Sequence, residues 1–429
     1  MEEDEMENHN SIKIIIYSVL VAAVIFGIIL LKAVSFSSYK SVLFIYTIVI
    51  TTFMFSRVIG SFFYSLPDHQ KTNSYAPAVT FVIPCKNEEA VIYKTITTCF
   101  DVDYDKNKIE VIAINDGSTD NTLKEMLRAK SALKGHDVTI VNWEKNRGKR
   151  HGMAEGFRKA KGEIIIQLDS DSYLERSALK KIISPLKDKS VGASVGHTLP
   201  ANKDKNILTK MQTAYYFMSF RALKATESIF DMVFCCSGCF SAYRKSYVLP
   251  ILDDWLDEKF MGKHITFGDD RGLTNHMLRQ RFKTIYVDDA EAYTVVPDDI
   301  KTFVKQQIRW KKGWFLNSMG ILKFIVMKEP FVAITYFVPL IVLTLLTPFI
   351  AFKALIISPL ILGIMPIAYV GGIMLVSLLL FIHFNIYVKE EDRKYGKYMF
   401  LWSVLNMTIF SYILIYALYD LKNMAWGTR

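Results

Sequence analysis

Apolar positions in this chain gather at its two ends. Segments 12–34 and 42–64 are predominantly apolar, and each has about the 20 residues that a helix needs to cross a bilayer core. A second group of apolar runs lies at 331–351, 359–384 and 400–419. A short apolar stretch at 355–362 adds either a further pass or a sign that one run is re-entrant. The C-terminal crossings therefore number three or four. The segment between the two groups is polar and charged. The division this predicts is an acidic tail with a two-helix transmembrane hairpin (1–66), a soluble domain (67–300), amphipathic interface helices (301–330) and C-terminal transmembrane helices (331–429).

Inside the soluble domain the pattern changes to short runs rich in Val and Ile. "AVTFVIPCKNEE" (78–89) reads as a buried strand that breaks at Pro84, followed by a polar loop and a helix. "KIEVIAINDGSTDNT" (108–122) repeats the motif, with Thr119 and Asp120 offering capping side chains to the next helix. "DVTIVNWE" and "EIIIQLDSDSY" supply two more strands. Such strands alternating with helices predict an α/β domain with a mainly parallel sheet. Ligands of such sheets bind beyond the carboxyl ends of the strands. The polar residues there are Asn115, Asp116, Asp169, Ser170 and Asp171.

Charge and cysteine content refine the picture. The chain carries 52 Lys and Arg against 42 Asp and Glu, a net charge of +10. In a membrane protein this excess reads as basic residues retained on the cytoplasmic side, not as a nucleic-acid surface. The domain and the N-terminus then lie in the cytosol. The opening "MEEDEMENHN" is acidic, unlike the basic start of a cleaved signal peptide. All five cysteines (Cys85, Cys99, Cys235, Cys236, Cys239) fall in the domain, in a compartment where disulfides are rare. Cys236 and Cys239 have C-x-x-C spacing, but no second pair stands near them to complete a zinc site.

Four groups of residues carry candidate chemistry. Asp169 and Asp171 leave an apolar strand as D-x-D. Two converging carboxylates repel unless a cation joins them, and oxygen donors suit Mg²⁺ or Mn²⁺ bound together with phosphate. "NRGKRHG" (146–152) is a Gly-punctuated basic loop opening a helix, where Lys149 and Arg150 would neutralise phosphate. "FGDDRGLTN" (267–275) offers Asp270 as a general base, Asp269 to orient its neighbours and Arg271 as a cation. Acids in a first helical turn are also ordinary helix-start chemistry. In "QQIRW" (306–310), Gln306, Arg309 and Trp310 share one helix face. Arg309 would offset charge on a leaving diphosphate, and Trp310 presents a flat amphipathic surface suited to a sugar ring. Trp314 and Phe315 read instead as membrane-interface anchors.

"NDGSTD", "DSD", "GDDR" and "QQIRW", in this order and between apolar ends, resemble the processive family-2 glycosyltransferases. "NRGKRHG", "CCSGCFSAYR", "VVPDDIKTFVKQQIRW" and "WGTR" are closest to the hyaluronan synthase and chitooligosaccharide synthase branch. The resemblance implies a GT-A fold and inverting transfer from a UDP-sugar with Mg²⁺ or Mn²⁺. Asp116 would contact the uridine. Asp169 and Asp171 would handle diphosphate and metal, with Asp171 the more direct ligand. Asp270 would be the base. Gln306, Arg309 and Trp310 would bind the diphosphate and the acceptor sugar, and Ser237, Gly238 and Trp426 would line the substrate site. A terminal "WGTR" near a cytosolic active site favours an even number of crossings. The implied partners are UDP-sugar donors, a growing polysaccharide acceptor and membrane lipid, with no partner subunit required and the cell membrane as location.

The leading reading is hyaluronan synthesis from UDP-GlcNAc and UDP-glucuronate, with Arg221, Lys224 and Lys263 available to a carboxylated sugar. The alternatives are a chitin-type synthase using one UDP-sugar, a polyprenyl-phosphate sugar transferase, and an idle scaffold or transporter. Two departures from the family pattern bear on the polymer. "KKGWF" (311–315) stands where streptococcal hyaluronan synthases have a serine followed by aromatics, and Cys239 stands where proline is usual.

Overall fold

The computed structural model describes residues 41–67 and 75–424. The apolar run at 12–34 and the tail bearing Trp426 lie outside the described residues. The chain divides into two units. One comprises, within the described residues, 41–64, 217–229 and 322–415. The other comprises 65–67, 75–216, 230–321 and 416–424.

The second unit is built on ten strands. These are β1 (Val79–Cys85), β2 (Ile109–Asp116), β3 (Asp137–Trp143), β4 (Ile164–Gln167), β5 (Ser172–Leu174), β6 (Val191–Pro200), β7 (Ser241–Arg244), β8 (Lys259–Phe260), β9 (Lys263–His264) and β10 (Lys283–Thr294). Eight of them form one sheet in the order β3-β2-β1-β4-β7-β6-β10-β5, and β8 and β9 form a separate ribbon. β3, β2, β1 and β4 run parallel, as do β6 and β10. β7 enters antiparallel to both β4 and β6, and β5 antiparallel to β10. The parallel half has the signature of a sheet covered on both faces, since every residue of β1, β2 and β4 is buried. Chain order reverses at β1, which has β2 on one side and β4 on the other. The crevice beyond the strand ends at such a switch point is the ligand position of open α/β sheets.

One local expectation is corrected. Strand β1 does not break at Pro84 but runs through it to Cys85. Leu168 N donates to Val82 O at 3.2 Å, so Val82 faces β4. Pro84, two residues on, faces the same way. The β1–β4 pairing has ended by then, at Val82↔Gln167. The missing N–H of proline thus falls where no ladder bond is needed. Further along, neither Thr119 nor Asp120 is the helix cap, which is Asn121 without a side-chain cap bond; Asp120 instead closes the preceding turn, accepting from Thr122 N at 3.0 Å and Thr122 Oγ1 at 2.5 Å.

In the other unit, three helices among the described residues are long and apolar enough to cross a membrane: Leu43–Phe62, Pro330–Leu360 and Ile367–Tyr387. A fourth candidate is the pair Tyr398–Phe410 and Tyr412–Tyr419, bent by 43°. The stretch 355–362 is not a separate pass, because it continues the Pro330–Leu360 helix. Tyr46, Phe53, Leu343, Ile350, Tyr369 and Ile373 form an apolar core. Polar groups are also buried here. The Arg57 guanidinium lies over the rings of Tyr336 (4.3 Å) and Phe53 (4.7 Å) and donates to Thr335 O at 3.2 Å. Tyr336 donates to Glu227. Arg221 lies over Tyr387 at 3.8 Å and donates to Ser61 O, and Ser61 bonds His383 at 2.7 Å. Ionisable side chains are costly inside a bilayer and mark pathways when present.

Candidate active site

The turn Asp169-Ser170-Asp171 joins β4 to β5 at the switch point. Asp171 Oδ1 accepts from Thr294 Oγ1 at 3.2 Å, which ties it to the end of β10. Asp169 accepts from Lys149 Nζ. Burial, and then the charge of Asp169, push the Asp171 carboxyl up to about 6. Burial works against the Lys149 ammonium, but Asp169 and then Asp269 outweigh it and raise the group to about 12. Two carboxylates and one ammonium therefore face each other with negative charge in excess.

Lys149 opens the helix Lys149–Lys159, and Gly148 before it has φ of 97°, a conformation that favours glycine. Asp116, at the end of β2, fixes this loop. Its Oδ1 accepts from Arg147 N at 2.6 Å and its Oδ2 from Gly148 N at 2.9 Å. Arg150 differs from the expectation that it binds phosphate. It is buried and turned into the fold, donating from Nε to Asp269 Oδ1 (3.1 Å) and from Nη1 to Trp255 O (2.7 Å) and Glu258 Oε2 (3.2 Å). Its guanidinium also lies over the Trp255 ring at 4.8 Å.

Asp269 and Asp270 begin the helix Asp269–Arg279, as the helix-start reading expects. Asp269 is buried against Arg150, and burial raises its carboxyl above the usual range against the pull of Arg150 and Lys149. Asp270 is half-buried. Its Oδ1 accepts from Arg271 N at 2.9 Å and its Oδ2 from Cys235 Sγ at 3.4 Å. The 235–239 loop is further fixed to this helix by Cys236 N, which donates to Thr274 Oγ1 at 2.9 Å.

Gln306, Arg309 and Trp310 lie on the helix Ile300–Lys328. Burial lowers the Arg309 guanidinium, and Asp169, Asp269, Asp270 and Asp171 all oppose that shift. One cation thus feels all four acids from two separate sequence motifs. Gln306 has a buried Oε1 with no hydrogen-bond partner among the described residues, and so has the Ser237 hydroxyl. Gly238 leaves room for the first acid: a Cβ there would sit 2.9 Å from Asp169 Oδ1. The Cys239 thiol is raised by burial and then by Asp169 and Asp171, which places it in the same field. Tyr215 and Tyr216, which the sequence did not single out, flank Trp310 with ring centroids at 6.3 and 6.4 Å. The Lys263 ammonium donates to Lys422 O at 3.3 Å.

A parallel-sheet switch point, paired acids on one strand end and basic groups across from them define a glycosyltransferase acting on a nucleotide-sugar donor and a glycan acceptor. Residues 80–250 match glycosyl transferase family 2. The chain is 27% identical over 392 residues to the hyaluronan synthase of Streptococcus pyogenes serotype M1, covering 90% of each chain. An N-acetylglucosaminyltransferase of Azorhizobium caulinodans is 29% identical over 248 residues, which is 58% of this chain and 62% of that one. One from Neorhizobium galegae is 30% identical over 57% of this chain and 56% of its own. These relatives support the hyaluronan synthase and chitooligosaccharide synthase branch. Among solved structures, a mannosyltransferase from Pyrobaculum calidifontis in complex with GDP-mannose and Mn²⁺ superposes with a TM-score of 0.52 at 18% identity. It covers 85% of this chain and 99% of that one, and shows a shared GT-A-like fold.

Proposed function

We propose that this protein is a multi-pass cell-membrane enzyme that polymerises UDP-sugars in its cytosolic domain by inverting transfer and exports a β-linked polysaccharide. The observation that carries the reading is the convergence on Arg309 of the D-x-D pair and the Asp269–Asp270 pair. One set of acids suits donor handling and the other suits activation of an acceptor hydroxyl.

A divalent cation, Mg²⁺ or Mn²⁺, fits the donor set. Asp169 and Asp171 are hard oxygen donors, and the Asp171 carboxyl is raised by burial and then by Asp169, both of which a cation offsets. Among the described residues no group of three or more His, Cys, Asp and Glu side chains forms a metal site. Asp169 and Asp171 would therefore share the ion with diphosphate oxygens and water. When bound, the ion supplies charge compensation for a departing diphosphate.

The remaining work falls to the chain itself. Asp116 holds the Arg147–Gly148 loop and keeps its spare lone pairs toward the nucleoside. Lys149, released from Asp169, and Arg309 neutralise the diphosphate, with Arg271 beside them. Ser237 and Gln306 bring unpartnered buried oxygens to the substrates. Asp270 accepts the proton of the acceptor hydroxyl as that oxygen attacks the anomeric carbon and UDP departs. Trp310 supports the acceptor ring. Arg150 acts indirectly, by fixing Asp269 and with it the helix start that aims Asp270. Trp426 is proposed for the same site on the family resemblance alone.

Hyaluronan is the leading product. Arg57, Arg221 and Lys224 in the membrane unit are buried basic groups suited to a carboxylated chain. The second reading, a polymer of GlcNAc alone, draws on the likeness to the two N-acetylglucosaminyltransferases. Purified protein in nanodiscs with Mn²⁺, given labelled UDP-GlcNAc with and without UDP-glucuronate, decides between them. Polymer that needs both donors and is cut by hyaluronidase supports the first, and polymer from UDP-GlcNAc alone that chitinase cuts supports the second. Asp270→Asn is expected to lower transfer by about a thousandfold while still binding UDP. An active Asp270→Asn protein removes the proposed mechanism.

A further inference from the structure

Trp310 does not stand alone as an aromatic surface. Tyr215, on the helix Ile207–Phe217, lies beside it with ring centroids 6.3 Å apart and planes tilted by 34°. Tyr216 meets Tyr215 edge-on at 90° and 5.9 Å, and meets Trp310 at 58°. The two tyrosines differ in exposure. Tyr216 is buried at 6% and serves as the wall, whereas Tyr215 and Trp310 are both only partly buried. The Tyr215 hydroxyl feels the charges of Arg271 and Cys235. Cys235 is the residue whose thiol reaches Asp270. The aromatic pair therefore lies near the loop residue that holds the candidate base.

We infer that Tyr215 and Trp310 together form an aromatic corner that binds the terminal pyranose of a β-linked glycan acceptor, with Tyr215 a specificity-determining residue of that subsite. This rests on the proposed function and adds to it a residue and a ligand surface. Two rings inclined to each other present apolar faces to the C–H groups of one sugar, and the sugar's hydroxyls point past the ring edges. A single ring would fix a sugar plane but leave it free to turn. The second, inclined by 34°, selects one rotational setting and so one hydroxyl to meet Asp270. The corner carries no charge of its own, so it favours a neutral ring such as N-acetylglucosamine at the acceptor end.

The test uses the full-length enzyme in nanodiscs with chitotriose as acceptor. UDP release is measured with UDP-GlcNAc alone and with UDP-glucuronate alone, and the donor that gives acceptor-dependent release is used throughout. Tyr215→Ala is expected to raise the KM for chitotriose about tenfold, as Trp310→Ala does, and to raise it far more than the donor KM. Loss of one stacking ring is of that size. Tyr215→Phe, which keeps the ring, stays within about threefold of the parent. An unchanged chitotriose KM in Tyr215→Ala, alongside a raised one in Trp310→Ala, overturns the inference and leaves the proposed function standing. Donor and acceptor KM rising together also overturns it, because that is the signature of a structural role. No acceptor-dependent UDP release from the parent enzyme, or full activity in Asp270→Asn, overturns the proposed function itself and the inference with it.

Discussion

At the scale of single residues, the acids were legible in the sequence and their neighbours were not. Asp116, Asp169 and Asp171 follow continuous apolar strands, so their position at a sheet's carboxyl end can be read from pattern alone. Lys149 and Arg150 could not be separated that way. They are consecutive on a helix and so point about 100° apart; one faces Asp169 and the other enters the fold toward Asp269 and Glu258. Tyr215 was missed because "AYYF" in an apolar helix reads as core. Cys235 is another such residue, and its contact with Asp270 has a consequence. A thiol donating to a carboxylate fixes the carboxylate's rotation, although it is a weak donor. Cys235→Val removes the donor and is expected to lower kcat about three- to tenfold, the low end for a hydrogen bond to a charged group, with donor KM unchanged. Cys235→Ser keeps a donor and stays near the parent rate. Steady-state UDP release compares the three, and equal losses in the valine and serine variants would show that the thiol only fills space.

At the scale of elements, the order of strands and helices followed from periodicity, while their meeting points depended on small residues. The helix Asp269–Arg279 and the helix Ile300–Lys328 approach through Gly268 and Gly313. A Cβ on Gly313 would lie 2.9 Å from Gly268 Cα, and one on Gly268 would lie 2.6 Å from Asn317 Nδ2. Gly268 also has φ of 72°, where side chains are strained. Asn317 closes the junction by donating to Gly268 O at 3.2 Å and Gly313 O at 2.8 Å. This gives "KKGWF" a structural meaning: its glycine lets the helix bearing Arg309 and Trp310 come close to the helix bearing Asp270. The sequence alone shows a departure from the family pattern there but not the backbone it must admit. Gly268→Ala is expected to destabilise the domain by about 3 kcal/mol, from the left-handed backbone and overpacking together. Gly313→Ala, with overpacking alone, costs about 1–3 kcal/mol and lowers kcat more than it lowers the melting temperature, because it shifts Arg309 relative to Asp270. Thermal unfolding and UDP release on the same preparations check both. A Gly313→Ala enzyme with unchanged kcat would mean that the approach serves packing only.

At the scale of the whole molecule, the remaining question is how many times the chain crosses the bilayer after its domain. Three apolar segments read from sequence would leave the two ends of that stretch on opposite sides. The residues after the last segment, however, belong to the same unit as the domain. Lys312 Nζ donates to Asp420 Oδ2 at 2.6 Å and to Asn423 O at 3.0 Å, Thr266 donates to Met424 O, and Leu421 packs with Phe267 and Leu316. If the apolar helices span a membrane, as proposed, a chain that leaves the domain near Ile321 and rejoins it near Tyr416 crosses an even number of times. Pro330–Leu360 and Ile367–Tyr387 are each long enough for one crossing. The bent pair has arms of about 20 Å and about 12 Å at 1.5 Å per residue, each shorter than the bilayer core. A 43° bend does not by itself reverse the chain; it is the even count that requires the pair to end on the side where it began, and on that count the charged segment 389–397 is expected on the domain's side. In a cysteine-free background, Lys394→Cys should react with a membrane-impermeant maleimide only after permeabilisation, whereas Met365→Cys, between the two crossings, should react in intact cells. Labelling of Lys394→Cys in intact cells would instead make the bent pair a full span. The tail's bonds to Lys312 and Thr266 would then have no route to form, and the site would have to work without the segment that "WGTR" follows.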